Sequence, residues 1–77
     1  MKEETKEELD RYVSHKIRTG SFLQAVLENN LMEAFARADD ENVVGMYDIV
    51  KYVYNNVPIA CYGSPAKVQA WLKQEIK

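Results

Sequence analysis

Cys61 and His15 are the single cysteine and the single histidine of this 77-residue chain. A thiolate nucleophile requires a base to activate it and usually a third group to orient that base. Cys61 lies in the short stretch Ile59-Ala60-Cys61-Tyr62-Gly63, where a small apolar side chain filling space is the plainer reading, because free cysteine behaves as a small hydrophobe. One Cys and one His cannot complete a four-ligand zinc site, so no metal or cofactor is expected. Asp39, Asp40 and Glu41 are adjacent acids. Proton transfer or cation binding needs convergent carboxylates on a rigid wall. Three consecutive acids are read instead as a helix start, where negative charge suits the helix dipole. No residue is assigned a catalytic role, and the chain is read as a non-enzyme.

Two other constellations bear on binding. Residues 21–38 could form two short helices around Asn29-Asn30, the outline of a helix-turn-helix. The second helix of such a motif needs basic or amide side chains at its start to reach the major groove. Here it opens Leu31-Met32-Glu33, and Glu28 and Glu33 would repel phosphates, so a packed hairpin is the expectation and DNA reading the alternative. Gly45, Asp48, Tyr52 and Asn55 recur at i, i+3, i+7 and i+10, a helix face where a glycine permits close approach and a tyrosine can anchor an interface. That face either contacts a partner or packs against the first helix. Tyr62 is a further candidate contact. Tyr62 and Trp71 flank Gly63-Ser64-Pro65 and are read as a lid on the core rather than an exposed pair.

The elements that must position these residues are helical. Apolar residues recur every three to four positions, and no stretch alternates as a half-buried strand would. The first helix is expected over about Lys2 to Ile17, with Leu9, Tyr12, Val13 and Ile17 in one stripe, its polar opening turns free to fray and Gly20 free to take a positive φ after it. Ser21 and Gln24 have the spacing of a capping box. They start a second helix with Phe22, Leu23, Val26 and Leu27 inward. Asn29-Asn30 makes a corner, followed by a third helix over about Leu31 to Ala38, with Leu31, Ala34, Phe35 and Ala38 inward. One bent helix from Ser21 to Ala38 is the competing reading.

Asp39-Asp40 then caps a fourth helix, about Glu41 to Asn55. Its wide apolar stripe (Val43, Met46, Tyr47, Val50, Val53, Tyr54, with Ile49 beside it) predicts a place at the centre of the bundle. Val57 continues that stripe, and Pro58 ends the helix. The apolar loop of residues 59–63 is expected to pack. Ser64-Pro65 starts a last helix that runs to about Ile76, with Val68, Trp71, Leu72 and Ile76 inward and Lys73 and Lys77 at its C-terminal end. The expected fold is all-α, a compact array of four to five short helices in one domain, residues 1–77.

A chain this short contributes a core worth only about 3–5 kcal/mol net, so a partner or a second copy is a natural support. With one cysteine no intrachain disulfide can form, which fits a reducing, cytoplasmic setting. The charged start MKEETKEELDR is unlike a signal peptide, and no apolar run is long enough to span a membrane. A net charge of −2 favours neither nucleic acid nor an anionic membrane.

The segments Thr19-Gly20-Ser21-Phe22-Leu23, Ala25-Val26-Leu27, Asn29 and Leu31 form a recurring pattern with Ala38-Asp39, Asn42, Asp48-Ile49-Val50 and Tyr54-Asn55. Pro58, Cys61, Gly63-Ser64-Pro65, Val68 and Trp71 complete it. This pattern resembles a group of small uncharacterised bacterial proteins often encoded in phages, prophages and other mobile elements. Tyr62 stands where that group more often has Trp. The resemblance implies a bacterial or phage origin and brings no activity with it, so no catalytic residue is carried over. The expected function is a non-catalytic protein-interaction or accessory module that binds another protein, possible also as a homodimer. The alternatives are a nucleic-acid-binding regulator and an inhibitor of a host defence protein.

Overall fold

The helical spacing becomes six α-helices in a computed structural model that describes residues 1–74. They are α1 (Glu3–His15), α2 (Ser21–Leu27), α3 (Leu31–Arg37), α4 (Asp40–Val44), α5 (Met46–Asn56) and α6 (Pro65–Lys73), with a 3₁₀ turn at Ile59–Cys61 before α6. Among the described residues there is no strand. The all-α expectation holds, but the count exceeds four to five because the helix expected over 41–55 is two.

The division falls at Gly45, whose ψ of 6° departs from the helical value and ends α4. Glycine carries no side chain to hold the helical geometry, and kinks gather at such residues. Asp39 caps α4 by accepting the Asn42 N–H at 2.8 Å. Lys2 reaches the same carboxylate at 2.9 Å, tying the start of α1 to the start of α4.

Asn29 and Asn30 settle the corner as two helices. Asn29 takes a left-handed φ of 62°. Its N–H donates to the Val26 carbonyl at 3.1 Å, and the Asn30 N–H donates to the Ala25 carbonyl at 2.9 Å. These two bonds satisfy the last carbonyls of α2. The Asn30 side chain then accepts the Glu33 N–H and opens α3. Asparagine tolerates this conformation far better than residues with a plain Cβ. Asn29→Ala is therefore expected to lower stability by about 1 kcal/mol, while Asn29→Gly stays within about 0.5 kcal/mol. Thermal melts of the two variants decide it, and equal melting points would remove the left-handed turn as the reason for asparagine here.

Three expectations around Gly20 are corrected. α1 stops at His15 rather than Ile17, because Lys16 takes the left-handed turn at φ 54°; Ile17 is consequently half exposed. Gly20 keeps a φ of −66° and is itself the N-cap, so Ser21 is the first helical residue and forms no capping box. The Glu8 carboxylate of α1 instead accepts the Gly20 N–H at 2.6 Å. Ser64 caps α6 as expected, accepting the Lys67 N–H at 3.1 Å. α6 ends at Lys73, with Gln74 extended. The placements of Ile76 and Lys77 lie outside the described residues.

The main core joins Leu9 and Tyr12 of α1, Leu23 and Leu27 of α2, and Ile49 and Val53 of α5. Val57, Cys61 and Val68 complete it. Tyr12 is its polar hub. Its hydroxyl donates to the Cys61 carbonyl at 2.7 Å, and its own carbonyl accepts the Trp71 indole N–H at 2.9 Å. Lys16 lies 3.9 Å from the centre of the Trp71 ring. Trp71 is thus a partly buried lid with its N–H satisfied. A smaller cluster of Ala25, Ala34 and Met46 packs α2, α3 and the start of α5 together.

Candidate functional site

Cys61 is fully buried, and burial pushes its thiol up from the ordinary range, against a smaller opposing pull from Lys16. A nucleophile needs the reverse, a depressed thiol pKa and access. His15 sits on the exposed end of α1. Of the three adjacent acids, Asp39 is engaged as cap and ion-pair partner, which holds its carboxyl below the usual range, chiefly through the Lys2 hydrogen bond. Among the described residues no three His, Cys, Asp or Glu side chains converge on one point. No helix there is long and apolar enough to cross a membrane.

The face read from Gly45, Asp48, Tyr52 and Asn55 divides. The Tyr52 hydroxyl donates to Asp10 of α1 at 2.8 Å, and its ring packs against the main core, so this tyrosine joins two helices of the same chain. Gly45 borders a shallow recess with Met1 and Lys2. Among the described residues, its chain neighbours aside, only the Glu41 carbonyl, at 3.2 Å, lies within 4 Å of where a Cβ would stand, so no second helix there uses that approach. Asp48 and Asn55 are exposed on α5. Tyr62 is partly buried and lines a different feature, a groove.

That groove runs between α3 and α5 and encloses about 320 Å³. Its floor is Ala34, Met46 and Val53, all buried. Its walls are Leu31, Val50, Tyr54 and Tyr62, and Asn29, Asn30 and Gly63 close one end. The Gly63 N–H donates to the Leu27 carbonyl at 2.7 Å, which fixes the loop against the end of α2 and sets that end of the groove. Among the described residues no charged side chain lines it, although 29% of the chain is charged.

Further apolar side chains stand exposed on the same helices. Leu31, Met32 and Phe35 stand exposed on α3, and Val43, Tyr47, Val50 and Tyr54 on α4 and α5. Tyr47 and Tyr54 are each 74% exposed and Met32 82%.

Sequence reasoning placed Leu31, Phe35, Val43, Tyr47, Val50 and Tyr54 inward, and the fold leaves them out. One signal could have found them. At 100° per residue the apolar stripe on the fourth predicted helix is roughly 160° wide, against about 100° for a helix that faces one core. The core takes the flank carrying Met46, Ile49 and Val53. The other flank, with Val43, Tyr47, Val50 and Tyr54, stays exposed.

No family model, curated protein or solved structure matches the chain.

Proposed function

We propose that this chain is a non-catalytic protein-interaction module whose contact surface is the groove between α3 and α5 and the apolar side chains around it. The observation that carries this reading is the groove, uncharged among its described lining residues, with the exposed Leu31, Val50 and Tyr54 as its walls. A chain with so small a core gains most by keeping such side chains inside. Their exposure is therefore a cost that a binding role explains. Aromatic anchors beside a desolvated pocket are the usual energetic centre of protein interfaces. The buried Cys61 thiol fits the same reading in a reducing, cytoplasmic setting.

The DNA-binding alternative draws less support. α3 opens with exposed Leu31 and Met32, and Arg37, its one cation, is paired with Glu33 at 3.0 Å. A host defence protein is one partner class that the mobile-element resemblance brings in.

The test is affinity capture from the native cell with mass spectrometry, comparing the wild type with Leu31→Glu and Val50→Glu. Both positions are already exposed, so the variants are expected to remain helical and melt within a few degrees of the wild type. A protein captured by the wild type should be lost from both. Captured proteins that both charged variants retain would place the binding surface elsewhere and end this reading.

A further inference from the structure

We infer that the occupant of the α3–α5 groove is the apolar C-terminal tail of a partner protein, with its side chains over the groove floor and its terminal carboxylate at Lys67; this rests on the reading of that groove as the contact surface. The two ends of the groove differ in chemistry, and the difference names the ligand.

At one end the floor residues Ala34 and Met46 pack with Ala25 in the smaller core cluster, and Val50 and Val53 continue the apolar lining. Nothing there can pair with a charge. Apolar side chains fit, whereas a charged group would lose its hydration uncompensated.

The other end is built of hydrogen-bond donors. Asn29 and Asn30 line it. Asn30 uses its Oδ1 to accept the Glu33 N–H, which leaves its NH2 group to donate. Lys67 stands beside Gly63, its Nζ 3.6 Å from where a Cβ on that glycine would be. Lys67 is exposed. Its reach to the Ile59 carbonyl is 3.5 Å, longer than a good N–H···O bond. Among the described residues no carboxylate pairs with it. Glu28, the acid next to Asn29 in sequence, accepts from Gln24 on α2 at 3.1 Å and does not line the groove. An uncharged groove with an ammonium at one end is complementary to an apolar ligand that ends in an anion.

Two features choose a peptide tail among such ligands. The walls Leu31, Val50 and Tyr54 are 58%, 45% and 74% exposed. A small molecule in about 320 Å³ would cover the floor and leave those outer faces in water, although small-ligand sites enclose most of their ligand. A peptide covers the walls as its chain leaves the groove. The donor end, moreover, is closed by Asn29, Asn30 and Gly63. A chain that lies along the apolar floor stops there, in the place for a terminal carboxylate held by donated hydrogen bonds.

The test is an NMR titration of the full isotope-labelled chain with acetyl-Ser-Leu-Val-Leu, once with a free C-terminal carboxylate and once as the C-terminal amide. The acid is expected to shift the backbone amides of Ala34, Val53 and Gly63. It should bind about 10-fold more tightly than the amide, the scale of one hydrogen bond to a charged group. Added salt should weaken the acid alone. Lys67→Gln should lower the acid to the affinity of the amide and leave the amide unchanged, while Lys51→Gln keeps the difference. Val50→Glu should abolish binding of both, and circular dichroism checks that each variant is helical. Equal affinity of acid and amide overturns the inference. So does an advantage of the acid that Lys67→Gln leaves intact, or a groove that neither peptide shifts. Groove amides that shift with protein concentration alone would put a second copy there and overturn it as well. If cell capture still depends on Leu31 and Val50, such a failure leaves the contact-surface reading standing; if it does not, both fall.

Discussion

Leu27→Ala is expected to leave little folded protein at 25 °C. Leu27 is fully buried at the end of α2, in contact with the main core. Truncating such a leucine costs about 2–5 kcal/mol, part from lost burial and part from the cavity left behind. A core of this size contributes only about 3–5 kcal/mol net, so the loss is comparable to the whole. The position also anchors the groove, because its carbonyl accepts the Gly63 N–H. Far-ultraviolet circular dichroism and a thermal melt at low micromolar concentration check it, the dilution keeping any dimer from adding its own stability. Met32→Ala, at the most exposed position of α3, should change stability by no more than about 0.5 kcal/mol. A Leu27→Ala protein that melts within a few degrees of the wild type would show that the chain holds more stability than its core provides.

Tyr12→Phe comes second in expected effect and carries a pH signature. Removing the hydroxyl strands the Cys61 carbonyl, whose partner it is at 2.7 Å. An unsatisfied buried acceptor costs about 1–3 kcal/mol. For a domain of this size each kcal/mol is worth about 4–8 °C in melting temperature. The phenol is raised from its ordinary value of 10.0 to about 12, first by burial, then by the neighbouring Cys61 and Glu28. In the unfolded chain the phenol loses its proton near pH 10, while the folded chain still holds it. Stability from this group is therefore complete below pH 10 and is lost as the pH rises towards 12. The buried Cys61 thiol, also raised, adds to the loss in the alkaline range. Alkaline melts of the wild type should fall steeply through that window. Tyr12→Phe should start lower at neutral pH and fall less steeply, keeping only the remaining groups' share. Parallel curves for the two proteins would mean that Tyr12 is not buried as described.

The local signals in the chain were legible where a residue acts on its own neighbours. Asp39 and Ser64-Pro65 start helices because a side-chain oxygen reaches the N–H three residues on, a contact that depends on nothing distant. Asn29-Asn30 divides two helices for the same kind of reason. The Ser21–Gln24 spacing misled because Glu8, twelve residues away and on another helix, takes over the entry to α2 through the Gly20 N–H. The Tyr52 face was legible as a face, with packing against the first helix as one of its two readings; that Asp10 is the residue meeting Tyr52 was set only by the fold.

Helical periodicity by itself determined that the described chain is all-α and that residues 41–55 carry more apolar surface than one contact can use. It could not determine which flank of that surface is covered, because periodicity gives a side chain's direction about its own axis and says nothing of what stands opposite. Tertiary packing decided it: residues of α1 and α2 pack with Ile49 and Val53 in the main core, and Val50, Tyr47 and Tyr54 remain outside.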